Sequence, residues 1–313
     1  MAADLEQLLQ RHKSVTVVSH IHPDADAIGT SLGIYTWLKE QGKKVEVVNA
    51  TKDIPRYLDF IPSFKNIKHK IDFDDSLVVS CDSGALDRLG FDIKGRDIVN
   101  IDHHPTNTYF GTVNLVDPNA VASSVIAYRV LSLLGKISPP SATAFYVALV
   151  SDTRNFTVGN VTKDTFDLSG ELVELGVDVP YVTSQMHHRR SLASLRILAT
   201  AIDSLNLCHN GRIAVMNITR EERQKSGAKE SDLDGIVDYA RSLATVQIAV
   251  LTVERGDEIK VSIRSKGADV SKIAQEFGGG GHREAAGFEL RGVTVDACID
   301  MLLRAIEKKE ILQ

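Results

Sequence analysis

The chain has 313 residues, 43% hydrophobic and 25% charged, with a formal net charge of −5. That length and apolar content suffice for two cores, and no apolar run approaches the ~20 residues of a bilayer-crossing helix. With 36 Lys and Arg against 41 Asp and Glu, the broad basic surface that grips long nucleic acid through its phosphates is excluded. A polyanionic substrate is then expected to be short, or to be met by metal ions.

The opening MAADLEQLLQRHK reads as a polar amphipathic helix without a signal-peptide stretch. SVTVVS (14–19) is a β-branched apolar run and predicts a buried strand. A helix is expected from about Ala27 to Glu40, stopped by Gly42, with Trp37 on its core face. Strands follow at KVEVVN (44–49), SLVVSC (76–81) and DIVNID (97–102), then helices over 121–134, 141–150 and 163–175, with AFYVALVS (144–151) readable as helix or strand. Apolar strands alternating with helical segments predict a parallel α/β sheet covered on both faces.

Around 185–204 the pattern changes to a basic, then helical stretch, in which His187-His188-Arg189-Arg190 reads as a solvated hinge in preference to a metal or phosphate site. Strands are expected beyond it at 212–219, 245–254 and 258–265, with helices near 231–242, 270–277 and 294–309, as in a smaller α/β domain with a partly antiparallel sheet. Cys81, Cys208 and Cys298 form neither a disulfide framework nor a CxxC pair, which points to a reducing cytoplasm.

Ligands of open α/β sheets bind outside the carboxyl ends of the strands. The first strand runs into SHIHPDADA, supplying His20, His22, Asp24 and Asp26; the strand at 76–81 runs into Asp82; the one at 97–101 into Asp102, His103 and His104; and the segment at 144–151 into Asp152. One such end is an ordinary turn or cap. Several carboxylates delivered to one crevice repel each other strongly unless cations lie among them. Carboxylates with one or two imidazoles suit Mn²⁺ or Mg²⁺, and a pair of ions about 3.5–4 Å apart is the usual clamp of phosphoryl chemistry.

HIHPDADAIGTSLG, VSCDS, IDHHP and VSDTRNF resemble the four motifs of the DHH phosphoesterase superfamily, and RSKGADVSKIAQEFGGGGHREAAGF resembles the DHH-associated C-terminal domain of its RecJ and NrnA branch. Size and the short linker are most similar to the NrnA type, the oligoribonucleases and pAp phosphatases. The resemblance implies an α/β protein with a parallel-sheet DHH catalytic domain (1–188), a linker (189–204) and a smaller α/β DHH-associated substrate-binding domain (205–313). It implies that His20 and Asp24 hold one metal, that Asp26, His103 and Asp152 hold the other, and that Asp82 bridges them. His104 then contacts the scissile phosphate, Asp102 orients the imidazoles and His22 stays outside the ligand set. Two Mn²⁺ ions are implied, with Mg²⁺ or Co²⁺ as alternatives.

The family pattern has glycine two residues after the last aspartate, where this chain has Arg154; a phosphate contact and a solvent-facing side chain are both open for it. Four consecutive glycines permit positive φ and close backbone approach, so their N–H groups can cradle an anion. The resemblance puts the substrate's terminal nucleotide on Arg264, Ser265, Gly279, Gly280, Gly281 and His282. Residues 205–313 carry 16 basic and 17 acidic side chains, which argues for a small docking pocket over a long groove. The expected substrates are very short RNA, dinucleotides in particular, and 3′-phosphoadenosine 5′-phosphate; a homodimer is left open. The rival readings are a manganese pyrophosphatase, a cyclic-dinucleotide phosphodiesterase and a nucleotide-binding regulator without turnover.

Overall fold

Short runs rich in valine and isoleucine form the first sheet: β1 (Ser14–Ser19), β2 (Lys44–Val48), β3 (Ile67–Lys68), β4 (Leu77–Cys81), β5 (Ile98–Asp102) and β6 (Val113–Val116). The computed structural model describes residues 2–158 and 160–309, and its contacts separate Met1–Arg189 from Arg190–Gln313. Every pairing in this sheet is parallel, in the order β3-β2-β1-β4-β5-β6. The order reverses between β1 and β4. Connections therefore leave these neighbours in opposite directions and open a crevice at their carboxyl ends.

The first unit's helices are α1 (Ala2–Arg11), α2 (Ala25–Glu40), α3 (Ser123–Leu134), α4 (Pro139–Asp152), α5 (Lys163–Glu174) and α6 (Val179–His187). Val15, Val17, Val79 and Ile101 of the sheet share a core with Ile28, Leu32, Trp37 and Phe145 of the helices. The opposite face packs Val18, Val48 and Val78 against Leu89 and Ile93. These come from a short 3-10 turn, Leu86–Leu89, and loops. The expected helical cover is thus present on one face only, because residues 83–97 carry three glycines and too short an apolar pattern for a helix.

AFYVALVS belongs to a helix, so Asp152 ends α4 and not a strand. The run looked ambiguous because this stretch is almost wholly buried, and a helix apolar all round has no amphipathic period. Every residue of α2 from Ala25 to Leu38 is buried as well. The two helices meet through glycines: a Cβ on Gly29 would lie 2.6 Å from the Ala144 carbonyl, and one on Gly33 2.3 Å from the Phe145 ring. Ser141 Oγ donates to the Gly33 carbonyl at 2.7 Å. Position 33 thus meets 141 and 145 while position 29 meets 144 and 148, so the helices run antiparallel and the start of α2 reaches the end of α4. This packing carries Asp26 to Asp152.

The second unit begins earlier than expected. Residues 189–204, read as a linker, contain α7 (Leu192–Asp203), whose Ile197, Leu198 and Ala201 are buried with Met216, Val237 and Leu251. The helical stretch expected after the hinge is therefore a core-facing element of the second unit and not a linker. After α7 come β7 (Asn206–Cys208), β8 (Ile213–Ile218), α8 (Arg220–Ser226), α9 (Ile236–Arg241), β9 (Ile248–Arg255), β10 (Glu258–Ser265), α10 (Ser271–Glu276), β11 (Gly280–His282), β12 (Ala285–Arg291) and α11 (Val295–Lys308). Their sheet runs β11-β12-β10-β9-β8-β7 and is antiparallel except between β8 and β9. The helix expected over 231–242 is shortened by Gly235, which has a φ of 76° at the start of α9. No helix among the described residues is long and apolar enough to cross a membrane.

Candidate metal centre

β1 ends at Ser19 and hands over to His20, whose Nδ1 donates to the Ile21 carbonyl at 2.8 Å. That bond turns Nε2 toward Asp82 Oδ2, 3.4 Å away. His103, just past β5, is held the same way: Nδ1 donates to the Ala120 carbonyl at 3.1 Å. Its Nε2 lies 3.2 Å from Asp152 Oδ2, 3.7 Å from Asp82 Oδ1 and 3.9 Å from Asp26 Oδ2. An imidazole with Nδ1 committed to a carbonyl presents an Nε2 lone pair, and a lone pair facing carboxylate oxygens needs a proton or a cation between them. Among the groups of candidate ligand atoms lying within 4.8 Å of one another are His20 with Asp24 and Asp82, Asp26 with His103 and Asp152, and Asp82 with Asp102 and His104. Asp82 faces the first two through its two oxygens.

Local structure fixes these carboxylates. Asp24 caps α2 by accepting from Ala27 N at 3.0 Å. Asp26 accepts from Thr30 Oγ1 at 2.9 Å and from the first amides of α3, Ser123 N at 2.7 Å and Ser124 N at 3.3 Å. Asp82 has a φ of 55°, a left-handed conformation costly for a residue with a side chain and characteristic of functional sites. Ser123 Oγ donates to Asp82 Oδ1 at 2.9 Å.

Charge is not balanced here. Burial, then the neighbouring Asp82 charge, pushes Asp26 up to about 7. Burial followed by Asp26, Asp24 and Asp82 holds Asp152 well above the usual carboxylate range. Burial opposes the charged form of Asp82, yet the His20 bond and the imidazole charges bring it below its ordinary value. His104 differs from the other two imidazoles. Its Nδ1 donates to Asp102 Oδ1 at 2.7 Å, and although burial opposes its charge, Asp102 and Asp82 raise it to about 9. The donor set, carboxylates with one imidazole in each half, fits two hard divalent cations.

His22 joins none of these sets among the described residues. Arg154 occupies the family's glycine position with a φ of 47°, followed by Asn155 at 56° and Phe156 at 62°. The left-handed turn explains why glycine suits that position. Of the basic run before the second unit, Arg189 pairs with Asp59 at 2.6 Å and His187 meets Asn155 at 3.3 Å.

Within the second unit, register places Arg264 and His282 on one rung, since both pair with Ala285. At ~4.8 Å per strand they stand about 9.5 Å apart on one face. Ser265 is corrected: it is fully buried and its Oγ donates to the Ala268 carbonyl at 2.6 Å, closing a turn. The glycine run is corrected in part. A Cβ on Gly279 would lie 2.1 Å from the Gly287 carbonyl, and one on Gly281, whose φ is 138°, 2.5 Å from the Ala285 carbonyl. These two glycines let β11 pack on β12, whereas a Cβ on Gly280 meets nothing within 4 Å. Of Gly279, Gly280 and Gly281, Gly280 alone has open space where a Cβ would stand.

Sequence reasoning missed Ser123, Asn107 and Arg88. Arg88 brings Nη2 within 3.5 Å of His20 Nδ1. Ser123 precedes an apolar helical run, a helix-start signal, but nothing local ties it to Asp26 or Asp82.

The DHH family, N-terminal domain, matches residues 14–150, and the DHHA1 domain matches residues 210–309. The bifunctional oligoribonuclease and PAP phosphatase NrnA of Thermus thermophilus is 30% identical over 94% of this chain and 90% of that protein. The protein of the same name from Bacillus subtilis is 26% identical over 92% of each. An exopolyphosphatase-related protein from Bacteroides fragilis superposes with a TM-score of 0.89 at 26% identity, covering 98% of this chain and 95% of that one.

Proposed function

Because the chain belongs to the DHH family, we propose that it is a metal-dependent phosphoesterase. It hydrolyses very short RNA, dinucleotides in particular, to mononucleotides, and 3′-phosphoadenosine 5′-phosphate to AMP. The observation that carries this reading is the aim of His20 Nε2 and His103 Nε2 at the two oxygens of one carboxylate, Asp82. His20 and Asp24 would hold one ion and Asp26, His103 and Asp152 the other, with Asp82 available to both. Mn²⁺ suits these donors best, with Mg²⁺ or Co²⁺ able to substitute. Such a pair of cations supplies an activated water and offsets charge developing on the phosphate.

The protein's own part is placement. His104, held by Asp102 and inclined to carry a proton, donates to a phosphate oxygen and stabilises the transition state. Arg264 and His282 receive the far end of a short substrate, and Gly280 admits it. Binding energy from that remote end positions the reacting bond.

The test is a comparison of initial rates with Mn²⁺ on labelled RNAs of two to twenty-four nucleotides, on 3′-phosphoadenosine 5′-phosphate and on pyrophosphate. Rates highest for the dinucleotide and falling with length are expected, with the bisphosphate also cleaved. Preferred cleavage of pyrophosphate would make the protein a pyrophosphatase. Tight nucleotide binding without turnover would make it a regulator.

A further inference from the structure

Asn107 lies three residues past the histidine pair, in the loop that follows β5, and it is buried. Its Oδ1 accepts from Tyr109 N at 2.6 Å and from Asn100 Nδ2 at 3.2 Å. Its Nδ2 donates to Asp102 Oδ2 at 2.5 Å and to the Ser83 carbonyl at 3.3 Å. An Asn side chain offers two acceptor and two donor positions, and all four are used. One end of the amide faces only donors and the other only acceptors, so the orientation of its oxygen and nitrogen is determined. Its own N–H donates to the His104 carbonyl at 3.1 Å, closing the loop.

We infer that Asn107 is a positioning residue for His104, acting through Asp102. Asp102 is fully buried. Its Oδ1 serves His104 Nδ1 at 2.7 Å, and its Oδ2 takes the Asn107 donor. Without that donor Oδ2 is left buried with a lost partner. The carboxylate then turns to recover one, and the His104 ring loses the bond that sets its orientation and tautomer. The second donation, to the carbonyl beside Asp82, ties this clamp to the strand end carrying the shared carboxylate. Outer partners of this kind act on geometry, and geometry is read in rate. The inference rests on the reading of His104 as the phosphate contact.

A double-mutant cycle tests it in the manganese-loaded enzyme, with kcat and KM on a dinucleotide and manganese content measured for each variant. Asn107→Ala is expected to lower kcat by about 10- to 100-fold with KM and manganese content unchanged. In a His104→Ala background the same change is expected to cost nothing further, because the residue it acts through is gone. Asn107→Ser, which keeps a short donor, recovers part of the rate and serves in the same cycle if Asn107→Ala does not fold. Losses that multiply in the double variant, or a fall in manganese content with Asn107→Ala, would overturn the inference while leaving the role of His104 standing. A His104→Ala enzyme with unchanged kcat would overturn both.

Discussion

Glu230 in the second unit meets three cations: Lys260 Nζ at 2.9 Å, Arg223 Nη2 at 3.3 Å and the Arg255 guanidinium. Asp82 in the first unit pairs, among the described residues, with the imidazoles of His20, His103 and His104, and lies among the carboxylates of Asp26 and Asp152. Burial opposes ionisation of both. For Glu230 the basic partners overcome it and bring the carboxyl below its ordinary value. Around Asp82 the imidazoles hold that one carboxyl low, while burial and the neighbouring carboxylates push Asp26 and Asp152 upward. A carboxylate cluster completed within the chain is an ion-pair network, while one left short of positive charge is built for cations from outside.

The comparison breaks most sharply at Asp82. Asp82→Ala is expected to abolish turnover and to leave neither ion tightly held, whereas His20→Ala loses one ion and keeps residual activity. Elemental analysis of the purified variants measures this. Two tightly held metals in the Asp82→Ala protein would show that the carboxylate is not shared.

The two clusters also predict opposite responses to pH. Asp26 is raised to about 7, so its contribution to the stability of the metal-free protein is complete below the ordinary aspartate value and is lost as pH rises through about 7. Asp152, His20 and His103 are raised too and act in the same direction. Mn²⁺ relieves the repulsion that appears as those protons leave. It should raise Tm more at about pH 8 than at about pH 5.5, since metal must compete with protons for the same atoms. A manganese shift independent of pH would break the argument.

Glu230 is lowered, so its contribution is present above the ordinary glutamate value and is lost as pH falls through its folded value. Glu230→Gln is expected to cost about 1–2 kcal/mol near neutral pH, the worth of charge-assisted bonds discounted for partial exposure. Urea melts check the magnitude, and metal affinity should not change. A loss of metal binding would mean that the two clusters are not independent.

Much of this was legible in the chain, and the gaps have physical causes. β1, β4 and β5 are β-branched runs that end directly in Asp or His, so strand and chemistry were visible together. β3 and β11 have two and three residues, too short for any period to show. Asp152 stands out as a candidate ligand from its motif, but its helix is ambiguous because a buried α4 has no polar face. Ser123 was invisible for another reason: its partners Asp82 and Asp26 lie 41 and 97 residues away in sequence. The glycine run stands out in the sequence as an anion cradle, whereas Gly279 and Gly281 answer to β12 behind them.

That distinction yields the finest test of the division of labour between the units. If the first unit supplies the unfinished charge and the second a docking face, a change on that face should alter substrate binding and nothing else. Gly280 has no positive φ and no neighbour within 4 Å of an added Cβ, so Gly280→Ala requires no backbone strain and no repacking. Tm should move by an amount equivalent to about 0.5 kcal/mol or less. Gly281→Ala, in contrast, meets the Ala285 carbonyl at 2.5 Å from a left-handed backbone, and should destabilise the hairpin by about 1–3 kcal/mol. A methyl at position 280 stands on the strand that carries His282, where the proposed docking face would receive the substrate's far end. It should raise KM for a dinucleotide several-fold while leaving hydrolysis of bis-p-nitrophenyl phosphate unchanged, because that small ester needs only the metal centre. Equal effects on both esters would place the influence of Gly280 in the fold, and the second unit would lose its claim to the substrate's far end.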